Sequence, residues 1–291
     1  MIAAPPWWLA EIPPHIYSLL RILFGLLGCL TLIGVWNFPA FWDLSGFVSS
    51  QDRGLGLKAF LLARDLGDVG GRVLFFASLA AFVAMTVGIY SRAAVAAALI
   101  ASLMDLSWNY LPHSGAYVAV QTILFCLIWA DCGSVWSLDA WLERRRGDDD
   151  EPLPYSIAPL MMIRLQVGLI YFSTGFRKLF SEHWRDGSAV HYVLNTNVYQ
   201  RFPHDLPPSL DPFATLLTYL ILGWELAFLF ALAYRPTRRL VVILGLLLHL
   251  GMFATIEIGP FGLVMVASYV AFLEPSKLPR LPDRLASVLK R

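Results

Sequence analysis

Eight stretches of mostly apolar residues recur along the chain, separated by shorter segments that carry most of the Pro and charged residues. A helix needs about 20 such residues to cross the hydrocarbon core of a membrane. Backbone groups that face lipid must be hydrogen-bonded within their own segment, which favours helices. The pattern therefore predicts an all-α bundle of about eight transmembrane helices, of which the third and the eighth are short. The predicted helices are 16–36, 72–90, 93–108, 115–133, 158–178, 213–234, 239–256 and 259–273.

The composition is that of an integral membrane protein. Of 291 residues, 57% are hydrophobic and 15% are charged, whereas about 25% are charged in a typical soluble domain. The mean hydropathy is +0.61. A net charge of +1, without a long basic stretch, argues against a nucleic-acid partner. We expect the partners to be membrane lipids and lipid-soluble molecules.

The Lys and Arg residues between the predicted helices indicate an orientation. Twelve of them lie in the connections after the second, fourth and sixth helices and in the C-terminal tail. The opposite face carries eight, all in two long connections, and long loops count for less in the positive-inside rule. This distribution predicts that both termini are cytoplasmic. The twelve are Arg92, Arg144, Arg145, Arg146, Arg235, Arg238, Arg239, Lys277, Arg280, Arg284, Lys290 and Arg291.

The connecting segments suggest a single domain over residues 1–291. The outer segments 37–71 and 179–212 are rich in Trp, Tyr, Leu and Phe, so we expect them to fold back as caps over the helix ends. Residues 144–157, which include RRRGDDDE, are expected to form a solvated cytoplasmic linker. The chain ends about twenty residues after the last predicted helix, so no C-terminal soluble domain is expected.

Four ionisable residues within or at the edge of predicted helices are candidates for a functional role, because burying such groups in a membrane costs several kcal/mol. Arg164 and Glu225 fall at similar depths, which predicts a buried ion pair that fixes the register of two helices. His249 lies near the middle of its helix, where it would either bond a neighbouring helix or contact a cofactor. The fourth is Glu257.

Three polar segments converge on the outer face in this topology: SWNYLPHSGAY, YFSTGFRKL and ATIEIGPFG. The second contains the adjacent cations Arg177 and Lys178. Either alone would be read as an anchor that reaches the lipid headgroups. Neighbouring helix positions point about 100° apart, so one cation can face lipid while the other faces the bundle. A lysine in a dry cleft can lose its proton near neutral pH and act as a base.

The stretch YFSTGFRKLFSEHWRDG resembles a segment of the vitamin K-dependent γ-glutamyl carboxylases. The same family is matched by WNYLPHSGAY, by WSLD, and by a His that precedes an Ile-Gly pair, here His249 before Ile258 and Gly259. Together these motifs cover roughly residues 100 to 273 in the same order. The wider group is the horizontally transferred transmembrane domain (HTTM) family, which includes bacterial stand-alone members. The resemblance implies a bacterial plasma-membrane protein with an outward-facing site.

The resemblance also implies a reduced quinone as cofactor, either vitamin K or menaquinol, with O2 and CO2 as co-substrates and no metal. Lys178 matches the lysine that deprotonates the quinol, and His113 matches the histidine that assists it. The activity would be that of a quinol-dependent carboxylase and epoxidase, a lyase. The residues that the resemblance assigns to the cofactor pocket are His249, Asn109, Tyr171, Trp184 and Glu257.

A different function is compatible with the same resemblance. The carboxylases carry a large soluble domain that helps to bind the substrate propeptide, and no counterpart is expected here. Some bacterial stand-alone relatives are linked to the sporulation-delaying protein export system. The chain would then be a non-redox membrane factor for the maturation or export of a small secreted peptide. Its partner would be that peptide or a separate soluble protein.

Overall fold

A computed structural model describes residues 10–36, 63–108, 115–147, 151–202 and 206–280. This part of the chain is mostly helical, which confirms the predicted all-α class, and its one sheet consists of two strands of two residues each. The α-helices are α1 (His15–Trp36), α2 (Ala63–Val87), α3 (Ser91–Trp108), α4 (Gly115–Ile128), α5 (Leu138–Arg145), α6 (Ala158–Lys178), α7 (Glu182–Arg185), α8 (Ala189–Asn195), α9 (Asp211–Ala233), α10 (Arg235–Thr255) and α11 (Phe261–Ser268).

Three of the described helices are long and apolar enough to cross a membrane. They include His15–Gly34, Pro208–Ala233 and Pro236–Thr255, with mean hydropathies of 2.1, 2.0 and 1.6. Four shorter apolar helices, within α2, α3, α4 and the α11 region, fall where the sequence predicts further crossings. The total of eight crossings and the cytoplasmic location of both termini stay predictions.

Several helix ends differ from the predicted ones because of prolines and turns. Helix α10 begins at Arg235, four residues before the predicted start, and carries Pro236 in its first turn, where a missing N–H costs nothing. Helix α4 ends at Ile128, before the turns that precede α5. The last predicted helix changes after Ser268 into a 3-10 segment, Tyr269–Phe272. Two further 3-10 segments are Pro208–Leu210 and Pro275–Arg280.

The described residues fall into two compact units, where the sequence predicts one domain. The first unit contains the residues up to Ile163 together with those from Leu273 onwards. The second unit is Arg164–Phe272. Helix α6 begins in the first unit, and the rest of it belongs to the second.

In the first unit, α1 and α2 pack closely because glycines remove side chains from their interface. A Cβ atom at Gly28 would overlap the ring of Phe82, and one at Gly25 would overlap Thr86. Small residues at such positions let apolar helices approach each other without steric conflict. In the same unit, β1 (Glu11–Ile12) pairs antiparallel with β2 (Tyr155–Ser156). The predicted linker 144–157 therefore ends in a paired strand.

Arg21 is a buried charge in α1 that the sequence analysis does not single out. Its side chain is fully buried. Nε donates to the carbonyl of Cys132 at 2.8 Å, and Nη2 donates to that of Trp136 at 2.6 Å. Nη1 donates to the carbonyls of Met85 and, at 2.8 Å, of Thr86. Because these carbonyls lie at the end of α2 and in the segment before α5, Arg21 ties three parts of the first unit together.

The Trp-Ser-Leu-Asp motif at the start of α5 has a structural explanation. The Ser137 hydroxyl caps α5 by accepting from the backbone N–H of Ala140 at 2.9 Å. The carboxylate of Asp139 accepts from the backbone N–H groups of Tyr90 and Ser91, at 2.9 and 2.8 Å, and from the Ser91 hydroxyl at 2.9 Å. The motif therefore fixes the turn between α2 and α3 to the start of α5.

In the second unit, the outer segment 179–212 packs along the first half of α9. The backbone N–H of Val190 donates to the Thr218 hydroxyl at 3.1 Å, and the Tyr219 hydroxyl donates to the carbonyl of Arg185 at 3.0 Å. Gly187, with φ +83°, adopts a left-handed conformation beside Thr215. Of the other predicted cap, 37–71, the residues 37–62 lie outside the described part of the chain.

Candidate functional site

Lys178, the last residue of α6, turns its ammonium into the second unit. Its Nζ lies 2.6 Å from Oε1 of Glu225 and 4.0 Å from the centre of the Trp184 ring. The Lys178 side chain is 24% exposed, and that of Glu225 only 9%. The neighbouring Arg177 is exposed. The two adjacent cations thus point in different directions, as the helical spacing predicts.

The partner of Glu225 differs from the predicted one. The sequence analysis pairs Glu225 with Arg164, but in the structure Glu225 pairs with Lys178. The Nε of Arg164 donates instead to the backbone carbonyl of Ala271 at 2.7 Å. The prediction of an Arg164–Glu225 pair is therefore wrong.

The register of α6 against α9 explains this difference. A Cβ atom at Gly175 would lie 3.0 Å from Cβ of Glu225 and 3.1 Å from the backbone nitrogen of Leu226, so the two helices cross at this glycine. Lys178 is one turn further along α6 and reaches Glu225 easily. Arg164 is eleven positions before the crossing, or about 16 Å along the helix axis. Aligning the predicted helix ends gives a different register, because α9 extends well beyond the end of α6.

Tyr171 is the centre of a second polar group, two turns before Lys178 on α6. Its hydroxyl lies 2.5 Å from Nε2 of His249 and 2.7 Å from the hydroxyl of Tyr269. All three residues are buried. Positions 171, 175 and 178 recur at helical spacing, so the tyrosine, the crossing glycine and the lysine share one face of α6.

Aromatic rings surround the Tyr171 group. The Tyr171 ring lies 4.7 Å from that of Trp224 and 4.2 Å from that of Phe228, measured between ring centres. The His249 ring lies 5.6 Å from that of Phe261. Because Trp224 directly precedes Glu225 on α9, these rings continue as far as the Lys178–Glu225 pair. We call the combination of the ion pair, the Tyr171 group and the surrounding rings the aromatic site.

Three buried polar atoms of the aromatic site have no hydrogen-bond partner among the residues that the structure describes. They are Oε2 of Glu225, Nδ1 of His249 and Nε1 of Trp224. A buried polar atom without a partner costs about 1–3 kcal/mol. Two of these atoms belong to residues of α9 and the third to a residue of α10, and all three residues are part of the aromatic site. They offer hydrogen bonds to a polar ligand or to water.

Of the remaining predicted site residues, Glu257 lies outside this cluster. Glu257 is exposed and its carboxylate lies 3.0 Å from the guanidinium of Arg201, while its backbone N–H donates to the carbonyl of Tyr199 at 2.8 Å. It connects the outer segment to the turn between α10 and α11. Asn109 and His113 lie outside the described residues, and their predicted roles stay predictions.

Two members of the aromatic site that carry a polar atom, Tyr269 and Trp224, are absent from the sequence prediction. Tyr269 carries a hydroxyl within an almost entirely apolar stretch, and Trp224 directly precedes a carboxylate within another. A polar atom in such a stretch is the signal that identifies His249. The same criterion, extended to the polar atoms of Tyr and Trp, would have identified these two residues as well. Gly245 adds a further constraint, because a Cβ there would overlap the Tyr269 hydroxyl.

A family model described as the HTTM domain matches residues 10–276, which is most of the chain. The chain belongs to the HTTM family. The match covers both units and includes every residue of the aromatic site. It establishes a membrane protein of this family, in agreement with the resemblance found in the sequence.

Two curated proteins of Bacillus subtilis (strain 168) are similar to part of the chain. Sporulation-delaying protein SdpB is 30% identical over 122 residues, which is 40% of this chain and 38% of SdpB. The uncharacterized protein YitO is 27% identical over 120 residues, which is 39% of this chain and 38% of YitO. The match thus spans less than half the length of either relative. No solved structure matches the chain significantly.

Proposed function

We propose that this HTTM protein is a quinol-dependent membrane enzyme in which Lys178 is the base that accepts the quinol proton. The observation that carries the proposal is the Lys178–Glu225 pair at 2.6 Å, beside a buried aromatic cluster. A surface anchor would extend its ammonium towards water or lipid headgroups. Lys178 instead points towards Glu225 and the Trp184 ring. By resemblance, the same lysine has this role in the γ-glutamyl carboxylases.

The chemistry of the aromatic site suits a reduced quinone. A flat ring with two hydroxyl groups can stack on aromatic side chains and also form hydrogen bonds. The unpartnered Oε2 of Glu225 accepts, Nε1 of Trp224 donates, and Nδ1 of His249 does either according to its tautomer. A bound quinol would supply the electrons that reduce O2, with one oxygen atom retained in the quinone epoxide and the other released as water. With CO2 as a second co-substrate, the activity would be that of a carboxylase-like lyase.

Glu225 gives Lys178 a way to act as a base. Nζ of Lys178 and Oε1 of Glu225 lie 2.6 Å apart, close enough for a proton to pass between them. Glu225 can then hold the proton while the neutral amine of Lys178 accepts one from a hydroxyl. One O–H bond breaks, one N–H bond forms, and no electron moves in this step. Trp184 favours the return of the charged form because its ring attracts a cation.

The test is quinol turnover by the purified protein in lipid nanodiscs. Menaquinol or vitamin K hydroquinone is added with O2 and CO2, and the epoxide and quinone products are separated by chromatography. We expect Lys178→Met to lower the rate by at least about 100-fold, the smaller contribution of a general base. Arg177→Met, which removes the adjacent exposed cation, should leave the rate within about twofold, since effects of that size are below 0.5 kcal/mol.

Two results would contradict the proposal. The first is the absence of turnover by the intact protein with either quinol. The second is turnover that Lys178→Met and Arg177→Met reduce equally, because this would show that only the positive charge near the membrane surface matters.

The second candidate is a non-redox factor for the maturation or export of a small secreted peptide. The 30% identity to sporulation-delaying protein SdpB favours it. The outer segment that packs on α9 would then form the peptide-binding surface, and the Lys178–Glu225 pair would only hold α6 and α9 together.

The two candidates differ in their response to one pair of variants. If the protein is a peptide factor, Lys178→Met should leave secretion of the peptide that it serves largely intact. Arg201→Gln, which removes the ion pair between the outer segment and Glu257, should reduce that secretion. The opposite pattern supports the quinol-dependent enzyme.

A further inference from the structure

A polar cleft in the first unit is lined by residues that the aromatic site does not include. It has a volume of about 520 Å³, within the range of about 300–1,000 Å³ typical of small-molecule sites. One wall is the turn between α2 and α3, a second is the segment between α4 and α5, and the third is one face of α5. The lining residues that carry charge are Arg92, Asp131, Asp139, Glu143 and Arg146.

Exposed aromatic side chains around the cleft indicate that it lies at a membrane–water interface. Tyr90, which lines it, is 80% exposed, and Trp129 and Trp141 are also exposed. Tyr and Trp are enriched at the level of the lipid headgroups, where the ring is in apolar surroundings and its polar atom meets water. The guanidinium of Arg145 lies 4.0 Å from the centre of the Trp141 ring. Such aromatic side chains are typical of the depth at which phospholipid headgroups lie.

Two positive and two negative side chains remain for a ligand. Asp139 is occupied by three hydrogen bonds from Tyr90 and Ser91. Arg92 uses Nε and Nη2 on the carbonyl of Ala130 and the hydroxyl of Tyr155, so its third nitrogen is not used by these bonds.

Glu143 and Arg146 form no ion pair with any described residue. Asp131 accepts only from two backbone N–H groups, through one of its two oxygens. The Ser134 hydroxyl, also in the cleft, is buried without a partner in the described part of the chain. These groups offer both acceptors and donors to whatever occupies the cleft.

We propose that the cleft binds the headgroup of phosphatidylethanolamine. Arg92 and Arg146 bind the phosphate, since guanidinium groups match its geometry and charge. Asp131 and Glu143 accept hydrogen bonds from the primary ammonium. A choline headgroup has no N–H to donate, and a glycerol headgroup has no positive charge. The arrangement of two cations and two carboxylates therefore selects a zwitterion with N–H donors.

Native mass spectrometry of the purified protein, equilibrated with equal amounts of the ethanolamine, choline and glycerol phospholipids, tests this proposal. We expect the ethanolamine lipid to be retained about tenfold more than the choline lipid, the effect of one or two hydrogen bonds between charged groups. Glu143→Gln should reduce that preference, since Asp131 remains as the second carboxylate. Arg146→Gln should lower the retention of all three lipids. Arg144→Gln, an exposed arginine on α5 that does not line the cleft, is the matched control and should change neither result.

Three outcomes would overturn the proposal. Equal retention of the ethanolamine and choline lipids would mean that the ammonium is not recognised. A preference for the glycerol lipid would mean that the arginines alone attract anionic lipid. A preference for ethanolamine that Glu143→Gln leaves unchanged would locate the headgroup elsewhere. Because Glu143 and Arg146 are exposed, both variants are expected to fold, and the lipid result does not depend on quinol turnover.

Discussion

Lys178 and Glu225, which lie 47 positions apart in the chain, form an ion pair with 2.6 Å between Nζ and Oε1. The pair joins the end of α6 to the middle of α9. It also distinguishes Lys178 from Arg177, its exposed neighbour. The pair is adjacent to the Tyr171 group. A substitution in the pair is therefore expected to affect both the stability of the second unit and its activity.

Glu225→Gln should destabilise the protein by about 2 kcal/mol. Removing one partner of a fully buried pair costs about 3–5 kcal/mol, because the other charge is left uncompensated. A lower value is expected here since about a quarter of the Lys178 side chain meets solvent. Denaturant unfolding in mild detergent, followed by intrinsic fluorescence, measures the loss.

The double variant Lys178→Met with Glu225→Gln is the control for this prediction. It removes both charges, so it should be more stable than Glu225→Gln alone if the uncompensated ammonium causes the loss. Additive losses in the two single variants and the double variant would contradict a direct interaction.

Gly245→Ala should disrupt the hydrogen bond between Tyr269 and Tyr171, because the added methyl group would occupy the position of the Tyr269 hydroxyl. Displacing that hydroxyl leaves a buried polar group without its partner, at a cost of about 1–3 kcal/mol. The melting temperature should fall, and quinol turnover should fall with it if the Tyr171 group positions the ligand.

Gly251→Ala is the matched control on the same helix. A Cβ atom at Gly251 would have no atom within 4 Å among the described residues outside its own stretch of helix. Alanine should therefore stabilise α10 slightly, by up to about 1 kcal/mol, through its higher helix propensity. Equal melting temperatures for the two variants would mean that the contact with Tyr269 is not important for stability.

The sequence predicts much of this arrangement from local patterns. Hydrophobic periodicity identifies the helices, and the 100° step between neighbouring residues explains how Lys178 can face the protein while Arg177 does not. The partner of Lys178 is not a local property. It depends on where α6 and α9 cross. That crossing is at Gly175, and the need for a glycine there is apparent only once the opposing helix is in place.

Arg21 illustrates a different limit of sequence analysis. Arg21, like Arg164, is an arginine in an apolar helix. It lies near the beginning of its helix, where an arginine side chain can reach the lipid headgroups. Its actual partners are backbone carbonyls from two other segments. The sequence does not show which carbonyl groups at a helix end lack a hydrogen bond. An arginine that binds such carbonyls therefore looks the same in the sequence as one that anchors its helix at the membrane surface.

Arg21→Met should destabilise the first unit by at least about 3 kcal/mol. The substitution removes the donors for carbonyls of Cys132, Met85, Thr86 and Trp136, some of which are then buried without partners. Arg72→Met, at an exposed position of α2, removes the same charge without these contacts. Limited proteolysis after mild heating should cleave Arg21→Met faster than Arg72→Met. Equal cleavage rates for the two variants would show that the buried guanidinium of Arg21 does not stabilise the first unit.

The orientation of the chain can be tested by fusing reporters to its connecting segments. Because Arg144, Arg145 and Arg146 precede residues 148–150, the positive-inside rule places that connection in the cytoplasm, together with the C-terminus. Green fluorescent protein should be fluorescent when inserted at 148–150 or fused after Arg291, and alkaline phosphatase should be inactive at both sites. Phosphatase inserted at 203–205, in the outer segment, should be active. Phosphatase activity at 148–150 would contradict the predicted orientation.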